Sequence, residues 1–456
     1  DNHFGGAIDC VADNMTVDNS TFKNNGAFTG GAIYVGTSSS QARILDSTFI
    51  SNYAEGGNGG AIGLKANDLS VNGSYFKSNT ATVHGGAIYL GGTGENNTIR
   101  YSVFEENVAG DHGGAVDWLA SAGEIVCSNF TKNKAVYGGA VYLNGVSSNS
   151  TIANVIFDSN EASKNGGAID CNATMMGLIN TTFKYNRADE YGAALCREAN
   201  ATGGFGQNNT FIANSAGISG AALAWLGVSG IKINYYYFYN NTAEVSGGAI
   251  YANHLSSNCS ILNSKFENSS VIRGEGGDIA FEGPNCKVIN STFKNSIAKN
   301  GGSIHICEHA DNTTVVNSTF TLCTALDEGG SIGAHCDNLR IINATFFASF
   351  AKGRGGAING EGATNALITE SRFDYSSTAG HSDTSGSSLN YGGSIYWEYG
   401  YNITVSNSSF FENKADKDGA SIAMRYCDNI TLYNLSYYGN LADNYGGAIS
   451  IMNSTN

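Results

Sequence analysis

The stretch Gly85-Gly86-Ala87-Ile88-Tyr89 decides the fold, because the chain repeats it at a regular interval. The same Gly-Gly-Ala-Ile/Val motif stands at residues 5–8, 30–33, 138–141, 247–250 and 446–449. Drifted copies such as Gly192-Ala193-Ala194-Leu195 bring the series to seventeen. From Ile8 to Ile449 the chain runs 441 residues in sixteen steps, so the mean period is 27.6 residues. A period of this size is typical of a stacked repeat architecture.

A second motif, Phe-x-x-Asn, alternates with the first, as at Phe76 and Asn79. An aliphatic residue such as Val71 stands five positions before the Phe, and an alanine such as Ala81 stands five after it. Val, Ile and Phe favour strands, and the Asn, Gly and Ser between them favour turns. Each repeat therefore predicts three short strands: one at the glycine motif, one at the aliphatic residue and one at the Phe.

A unit of this length cannot bury its own apolar face, whereas stacked units can. We therefore predict an all-β fold, a single-stranded parallel β-helix of about 16–17 coils with about 27 residues in each. The whole chain, 1–456, is expected to form one continuous, rod-like domain. The pattern breaks at residues 196–210, which predict an irregular coil, and at 376–390, which predict a protruding loop.

Composition limits the possible partners. The formal net charge is −15 and no basic run occurs, which excludes a nucleic-acid-binding role. No stretch approaches the roughly 20 apolar residues of a membrane-spanning helix. An acidic chain rich in Asn, Ser, Thr and Gly is typical of extracellular proteins. Because the chain opens inside a repeat and lacks an initiator Met, we expect it to be a segment of a longer precursor.

The two alternating motifs resemble the repeats of chlamydial polymorphic outer membrane proteins. They are also similar to the repeats of adhesin-like surface proteins of methanogenic archaea. The resemblance covers nearly all of the chain. It implies a right-handed β-helix, exported and displayed at a cell surface, which attaches to a host or neighbouring cell. The barrel that anchors the bacterial proteins has no counterpart in this sequence.

Catalysis is not predicted. Cleavage of a glycosidic bond needs two carboxylates facing one bond at about 5–9 Å. Asp9, Asp117 and Asp170 share one outward position of the repeat, but they lie four and two coils apart. Tyrosines occupy the same position in other coils, including Tyr34 and Tyr89, where they are suited either to stacking on sugars or to ordinary packing between strands.

No cofactor or metal is predicted, although two groups were weighed. His84 and His112 stand at equivalent positions of adjacent coils, with Asp111 beside His112, but no third coil supplies a ligand. The second group spans two coils and fits no standard zinc spacing. It comprises His305, His309, His335, Cys307 and Cys336.

Ten cysteines in an extracellular chain raise the possibility of disulfides. Cys259 and Cys286 both stand seven residues before a Phe, one coil apart. Equivalent positions in adjacent coils are about 5 Å apart, which lies within disulfide range. This pair is the disulfide candidate.

Two sets of asparagines carry glycosylation sequons. The first set lies three residues before the Phe and, by alternation from the inward aliphatic residue, is expected to form an internal ladder: Asn19, Asn180, Asn208, Asn290, Asn317, Asn343, Asn407 and Asn434. The second set lies eight residues before the Phe, at a turn facing solvent. Its members are the glycan candidates: Asn14, Asn96, Asn149, Asn258, Asn312, Asn402 and Asn429.

The sequence thus predicts a non-enzymatic, adhesin-like extracellular protein that binds glycans, cell surfaces or copies of itself. The 376–390 loop is the candidate ligand site, with His381, Asp383 and Asn390 as its polar residues. One alternative is a self-assembling component of an envelope sheath, layer or filament. A second alternative is a protein that binds or cleaves polysaccharides, as many parallel β-helices do.

Overall fold

The computed structural model describes residues 3–37, 39–65, 68–92, 94–95, 97–145, 147–380 and 390–455. They form the predicted parallel β-solenoid, with about 16 turns and about 27 residues per coil. The chain divides into two compact units, Asp1–Ile231 and Lys232–Asn456. The described residues contain no helix long and apolar enough to cross a membrane.

A coil adds strands to four parallel sheets rather than the three predicted. Sheet 1 follows the glycine pair, sheet 2 holds the aliphatic residue and sheet 3 holds the Phe. Sheet 4, which the sequence did not predict, centres on the alanine five residues after the Phe. Most of its strands have only two residues, such as Thr80–Ala81, which is too short for an alternating pattern to show.

The first unit contributes nine strands to sheet 1 and eight to each other sheet among its described residues. Sheet 1 comprises Ile8–Cys10, Ile33–Val35, Ile62–Leu64, Ile88–Leu90, Val116–Trp118, Val141–Leu143, Ile169–Cys171, Leu195–Arg197 and Leu223–Trp225. Sheet 2 comprises Thr16–Asp18, Arg43–Leu45, Ser70–Asn72, Thr98–Arg100, Glu124–Val126, Thr151–Ala153, Gly177–Ile179 and Phe205–Gln207. Sheet 3 comprises Thr21–Lys23, Thr48–Ile50, Tyr75–Lys77, Val103–Glu105, Asn129–Thr131, Ile156–Asp158, Thr182–Lys184 and Thr210–Ile212. Sheet 4 comprises Gly26–Ala27, Tyr53–Ala54, Thr80–Ala81, Val108–Ala109, Lys134–Ala135, Glu161–Ala162, Arg187–Ala188 and Ser215–Ala216.

The second unit contributes eight strands to each sheet among its described residues. Sheet 1 comprises Ile250–Ala252, Ile279–Phe281, Ile304–Ile306, Ile332–Ala334, Ile358–Glu361, Ile395–Glu398, Ile422–Arg425 and Ile449–Met452. Sheet 2 comprises Lys232–Asn234, Ser260–Leu262, Lys287–Ile289, Thr314–Val316, Arg340–Ile342, Leu367–Thr369, Tyr401–Ser406 and Asp428–Tyr433. Sheet 3 comprises Tyr237–Tyr239, Lys265–Glu267, Thr292–Lys294, Thr319–Thr321, Thr345–Phe347, Arg372–Asp374, Ser409–Phe411 and Ser436–Tyr438. Sheet 4 comprises Thr242–Ala243, Ser270–Val271, Ile297–Asn300, Thr324–Glu328, Phe350–Ala351, Ser377–Thr378, Lys414–Ala415 and Leu441–Ala442.

Equivalent residues of successive coils stack inside each unit. Phe76 pairs with Phe49 on one side and Phe104 on the other, and the ring centroids lie 4.7 and 4.8 Å apart. The stacked Phe rings form a column, and the aliphatic residues of sheets 1 and 2 form parallel columns beside it. Ile88 and Val71 are examples, and both are fully buried. These columns bury the apolar surface that a single coil leaves exposed.

The Asn of each Phe-x-x-Asn motif forms a buried asparagine ladder in the first unit. Asn107 donates from Nδ2 to Asn133 Oδ1 at 3.0 Å, and its backbone N–H donates to the same oxygen. The Nδ2 of Asn133 in turn donates to the Phe104 carbonyl and to Asn160 Oδ1, both at 3.0 Å. The ladder therefore satisfies backbone groups at the corner between sheets 3 and 4.

The internal ladder predicted for the asparagines three residues before the Phe is wrong. These residues, such as Asn290 and Asn317, are exposed and have positive φ values of 53° and 51°. A left-handed residue turns the chain from sheet 2 into sheet 3, so the alternation of side chains does not continue through it. Asparagine suits this backbone conformation. The amides instead form an outer ladder, with Asn317 Nδ2 donating to Asn290 Oδ1 at 3.1 Å.

The two glycines of the repeated motif have different roles. Gly85 has a φ of 62°, a left-handed conformation that glycine adopts readily and that turns the chain. Gly86 has an ordinary φ, but a Cβ there would lie 2.1 Å from the Gly114 carbonyl oxygen of the next coil. It would also lie 2.6 Å from the Val108 carbonyl oxygen of sheet 4. The second glycine therefore allows neighbouring backbones to approach closely, and a small alanine takes its place in three coils, at Ala193, Ala221 and Ala420.

The interior of the second unit uses a different set of polar residues. Where Ser296 replaces the ladder Asn, Asp278 replaces the alanine of the glycine motif and accepts a hydrogen bond from the Ser296 hydroxyl. One coil further on, the hydroxyl of Ser303 contacts Cys323 Sγ at 3.0 Å, and in the next coil Ser331 and Ser349 are hydrogen-bonded at 2.7 Å. Burial raises the pKa of Asp278 to about 7.

The two predicted irregularities lie in turns. Within 196–210, Phe205–Gln207 still pairs in register with Gly177–Ile179, so the extra residues are confined to the turn before it. Within 376–390, residues Ser377–Thr378 are a regular strand of sheet 4 that pairs with Phe350–Ala351. The predicted loop therefore starts too early, because its first residues belong to the coil. Residues 381–389 lie outside the described residues.

Replacing a ladder asparagine is expected to destabilise the first unit. In Asn133→Ala the Phe104 carbonyl and the Asn107 N–H lose their partners in a buried site, at a cost of about 1–3 kcal/mol for each such group. Urea denaturation should give a lower midpoint. Asn72→Ala, at an exposed strand position, is the control and should stay within about 0.5 kcal/mol of the parent. Equal losses in both variants would contradict the structural role of the ladder.

Adding a methyl group to the second glycine tests the close contact between coils. Gly86→Ala forces neighbouring backbones apart, so we expect a loss of about 1–3 kcal/mol. The chain itself holds an alanine at the equivalent position in three coils, at Ala193, Ala221 and Ala420, so the variant should still fold. Gly145→Ala is the matched control, because the nearest atom to its Cβ would be the Asn172 carbonyl oxygen at 3.6 Å. Thermal unfolding followed by circular dichroism compares the two. A Gly86→Ala variant as stable as the control would refute the contact.

Candidate functional site

The outer face of sheet 1 gathers most of the unusual polar side chains. The residue before the glycine pair of one coil lies over the outward residue of sheet 1 in the next coil. Glu328 thus accepts a hydrogen bond from Asn359 at 3.1 Å, and Glu275 contacts His305 at 3.0 Å. Outward residues of sheet 1 can therefore be covered by a side chain of the preceding coil. We attribute to this the burial of Asp117, Asp170 and Tyr396, whose outward position predicted exposure.

In the first unit the face carries two histidines and two aspartates. His84 Nδ1 and His112 Nδ1 lie 3.0 Å apart. His84 Nδ1 also lies 3.5 Å from Asp117 Oδ2, and His112 Nδ1 lies 3.5 Å from Asp111 Oδ2. Burial lowers the pKa of both histidines and raises that of Asp117 well above its usual range. The sequence indicated the histidine pair but not Asp117, which was expected to be an isolated outward residue.

A second group in this unit comprises Asp170, Cys196 and Glu198, whose ligand-type atoms lie within 4.8 Å of one another. Asp170 is fully buried and neither of its carboxylate oxygens has a hydrogen-bond partner. Burial raises the pKa of Asp170 and of the Cys196 thiol well above their usual ranges.

The histidine and cysteine group of the second unit is only partly assembled. Glu275, His305 and Cys307 lie within 4.8 Å of one another by their ligand-type atoms, and the His305 and His335 ring centroids are 5.3 Å apart. The hydrogen bond from His305 lowers the pKa of Glu275 to about 2. His309 is exposed and contacts Glu308 instead, and Cys336 is fully buried. Sequence reasoning missed Glu275 because it stands one coil earlier.

Further along the second unit, arginines and tyrosines form what we call the Arg–Tyr cluster. It consists of Arg354, Tyr391, Tyr396, Glu398, Tyr399, Arg425 and Tyr426. Arg354 pairs with the buried Glu398 at 2.8 Å and lies over the Tyr396 ring at 5.3 Å. Arg425 lies 5.0 Å from the Tyr391 centroid and 5.4 Å from that of Tyr426. The Nε atoms of both arginines have no hydrogen-bond partner.

Two exposed tyrosines border this cluster. Tyr399 and Tyr426 stack with centroids 5.2 Å apart, and they are 59% and 41% exposed. On the other side, Glu328 lies 3.5 Å from Arg354. Burial raises the pKa of Glu328 to about 7, against the opposing effect of Arg354. The arrangement combines an aromatic surface, partly free guanidinium donors and a carboxyl group that is half protonated near neutral pH.

The predicted ligand loop begins and ends beside this cluster. The Gly380 N–H and the Asn390 amide both donate to Asp416 Oδ2, at 3.2 and 3.3 Å, and Tyr391 follows directly. Asn390 is buried, so it supports the base of the loop and does not project from it. His381 and Asp383 lie outside the described residues.

Cys259 and Cys286 lie side by side in adjacent coils of the second unit and are both fully buried. A hydrogen bond from the Cys259 thiol lowers the pKa of Cys286. This placement is compatible with a disulfide, which stays a prediction.

The glycan candidates stay predictions as well. Most are exposed at left-handed corner positions: Asn14, Asn149, Asn258, Asn312 and Asn429. Asn402 is half-buried, and Asn96 lies outside the described residues. The Nδ2 atoms of Asn312, Asn402 and Asn429 donate to asparagines of the preceding coil at 2.8–3.1 Å, so a glycan there would replace a hydrogen bond.

Three stretches of the chain match the Chlamydia polymorphic membrane protein repeat. They are residues 73–91, 154–172 and 236–253, and each contains one Phe-x-x-Asn motif and the glycine motif that follows it. This confirms the predicted resemblance at the level of the repeat. No curated protein matches the chain significantly.

Several solved structures are similar to the chain at a low level. The alginate lyase AlyF-OU02 is 12% identical with a TM-score of 0.34, over 76% of this chain and 80% of that one. PfbA, a surface adhesin of Streptococcus pneumoniae, is 13% identical with a TM-score of 0.34, over 91% and 83%. The tailspike protein of E. coli bacteriophage HK620, in complex with pentasaccharide, is 10% identical with a TM-score of 0.28, over 93% and 72%. Similarity at this level carries no information on function.

The raised pKa of Glu328 predicts a specific pH dependence of stability. Its folded-state pKa of about 7 exceeds the unfolded value, so the folded protein binds more protons between about pH 4.5 and 7. Glu328 therefore destabilises the parent increasingly as the pH rises through this window. The stability of Glu328→Gln relative to the parent should rise from pH 4.5 to 7 and then level off in urea denaturation. The exposed Glu308→Gln is the control, and a flat profile for Glu328→Gln would contradict the assignment.

Proposed function

We propose that the protein is an extracellular, adhesin-like attachment protein that binds acidic carbohydrate on the Arg–Tyr cluster without cleaving it. Two lines support a surface role: the match to the polymorphic membrane protein repeat and the acidic composition, with a net charge of −15. The observation that carries the ligand class is the pairing of exposed tyrosines with arginine donors that lack a partner.

The exposed Tyr399 and Tyr426 rings supply the apolar part of such a site. Aromatic side chains provide a rigid, flat surface at low conformational cost, which suits the C–H face of a sugar ring. Because the two rings stack across adjacent coils, they offer one continuous surface and not two separate ones.

The arginines supply the charge complement. A guanidinium group binds a planar carboxylate through two parallel N–H donors, a geometry that lysine cannot reproduce. Arg425 lies against Tyr426, and its Nε and that of Arg354 are buried without an acceptor. Acidic sugars such as uronates carry carboxylates on the ring and would pair with the exposed parts of Arg354 and Arg425, whose side chains are 19% and 22% exposed. The buried Glu398 holds both guanidinium groups, at 2.8 and 3.7 Å, and fixes their positions.

The loop between residues 380 and 390 is part of the same proposal. The described residues on either side of it, Gly380 and Asn390, both donate to Asp416, and Tyr391 of the cluster follows directly. We propose that His381 and Asp383 add polar contacts that select among acidic glycans, while Asn390 supports the loop base.

Polysaccharide cleavage is a second candidate, favoured by one observation. Glu328, with a pKa of about 7, lies 3.5 Å from Arg354 and is suited to exchange a proton at neutral pH. Glu398, the carboxyl group within the cluster, is buried and lies against both arginines, at 2.8 and 3.7 Å, so it does not face solvent as the second group that cleavage needs. We therefore favour binding alone.

The test uses purified chain and a panel of acidic and neutral oligosaccharides, with calorimetry on those that bind. Arg425→Gln and Tyr426→Ala should each weaken binding of an acidic oligosaccharide roughly tenfold to a hundredfold, the equivalent of about 1.5–3 kcal/mol. Arg187→Gln and Tyr185→Ala, exposed residues of the first unit, are matched controls and should leave affinity unchanged.

Mass spectrometry of the oligosaccharides after long incubation separates the two candidates. Intact sugars support attachment, whereas shortened products would favour cleavage, and Glu328→Gln should then abolish them. Failure of the parent chain to bind any acidic glycan, or equal losses in the control variants, would refute the proposed site.

A further inference from the structure

We propose that His84, Asp111, His112 and Asp117 form a binding site for a zinc-class divalent metal ion on the outer face of sheet 1. The site is separate from the Arg–Tyr cluster and belongs to the first unit. It does not depend on the proposed attachment function.

The spacing of the donor atoms is the main argument. In a tetrahedral site with metal–ligand bonds of about 2.0–2.1 Å, neighbouring ligand atoms lie about 3.4 Å apart. Three of the six such distances lie near this value here: 3.0 Å between the two Nδ1 atoms, and 3.5 Å from each Nδ1 to its nearer carboxylate oxygen. The donor atoms of His84, Asp111 and His112 all lie within 4.8 Å of one another.

A buried carboxylate gives the second, independent argument. Asp117 is 2% exposed, and its Oδ1 has no hydrogen-bond partner. Its Oδ2 points to His84 Nδ1. An isolated carboxylate in such a place is costly unless a cation or a proton neutralises it. A bound metal ion would neutralise the Asp117 carboxylate, which would act as one of its ligands.

The surroundings hold the ligands in place. His84 and His112 stack across adjacent coils with centroids 4.8 Å apart, and the other face of His112 lies on the Tyr142 ring at 4.2 Å. The imidazoles are about a quarter exposed and Asp111 is 44% exposed, so an ion can reach the site from solvent. Orienting contacts of this kind are usual around metal-binding histidines.

The donor set indicates which ion. Two imidazole nitrogens and two carboxylate oxygens suit zinc and its first-row neighbours, whereas calcium and magnesium prefer oxygen ligands alone. Because His84 lies in one coil and the other three ligands in the next, the ion would join two adjacent coils. We infer that the ion has a structural role, linking the two coils, and that one side of the site faces solvent.

The experiment uses the full chain, stripped of metal with a chelator and titrated with Co²⁺. The expected result is one equivalent bound with the visible d–d absorption of a tetrahedral ion and displaced by Zn²⁺. No sulfur-to-cobalt charge-transfer band should accompany it, which separates this site from the groups that contain Cys196 or Cys307. Zn²⁺ should also raise the thermal unfolding midpoint.

Two variants and one control decide the assignment. His112→Ala and Asp117→Asn should each weaken binding at least about tenfold and abolish the zinc-dependent thermal shift. His254→Ala, an exposed histidine of the second unit, should change neither. Because Asp117→Asn keeps the size of the side chain, it carries the test if His112→Ala does not fold.

The proposal is overturned if the parent chain gives no d–d band and no thermal shift. The contact between the histidines would then be a plain hydrogen bond. It is also overturned if His112→Ala and Asp117→Asn retain the affinity of the parent, because the metal would then be bound elsewhere.

Discussion

The structure depends on the close approach of backbones at the glycine pair. The second glycine of each motif lies against the carbonyl oxygen of the same glycine in the next coil, as Gly86 does against Gly114. It also lies against a carbonyl of sheet 4, so sheets 4 and 1 meet there with no side chain between them. The first glycine supplies the left-handed turn that makes this possible. Because a glycine or an alanine stands at the second position in all seventeen copies of the motif, we infer that this approach fixes the register in which the other residues stack.

Once the register is fixed, the interior positions accept few residue types, whereas the outer face of sheet 1 accepts many. The columns at Phe76 and Val71 keep largely to aromatic or aliphatic residues, and some polar changes in the interior come in pairs. The exchange of a ladder Asn for Ser296, together with Asp278 in place of alanine, is such a paired change. On the outer face the residue types differ from coil to coil. Histidine, aspartate, cysteine, arginine and tyrosine therefore gather there without disturbing the stack.

The coil, its period and three of its sheets could be predicted from the sequence because the columns of Ile, Val and Phe repeat with regular spacing. Sheet 4 could not be predicted, because most of its strands have only two residues, too few to show alternating inward and outward side chains. The orientation of Asn290 and its equivalents was wrong because a left-handed corner residue breaks the alternation from which it was inferred. The adjacency of His84 and His112 could be predicted from spacing alone. The burial of Asp117 could not, because it depends on cover from the preceding coil.

The residues that cover the outer face of sheet 1 do so at a regular spacing along the chain. The residue before a glycine pair lies over the outward residue of sheet 1 one coil later, about 30–33 positions further along: Glu275 over His305, Glu328 over Asn359, and His84 over Asp117. No local motif reveals such pairs, since their members belong to different repeats. In these three pairs the stack nevertheless holds the polar groups 3.0–3.5 Å apart. Chemistry in this fold thus comes from residues separated by one coil, and the glycine pair that builds the fold also determines which residues meet.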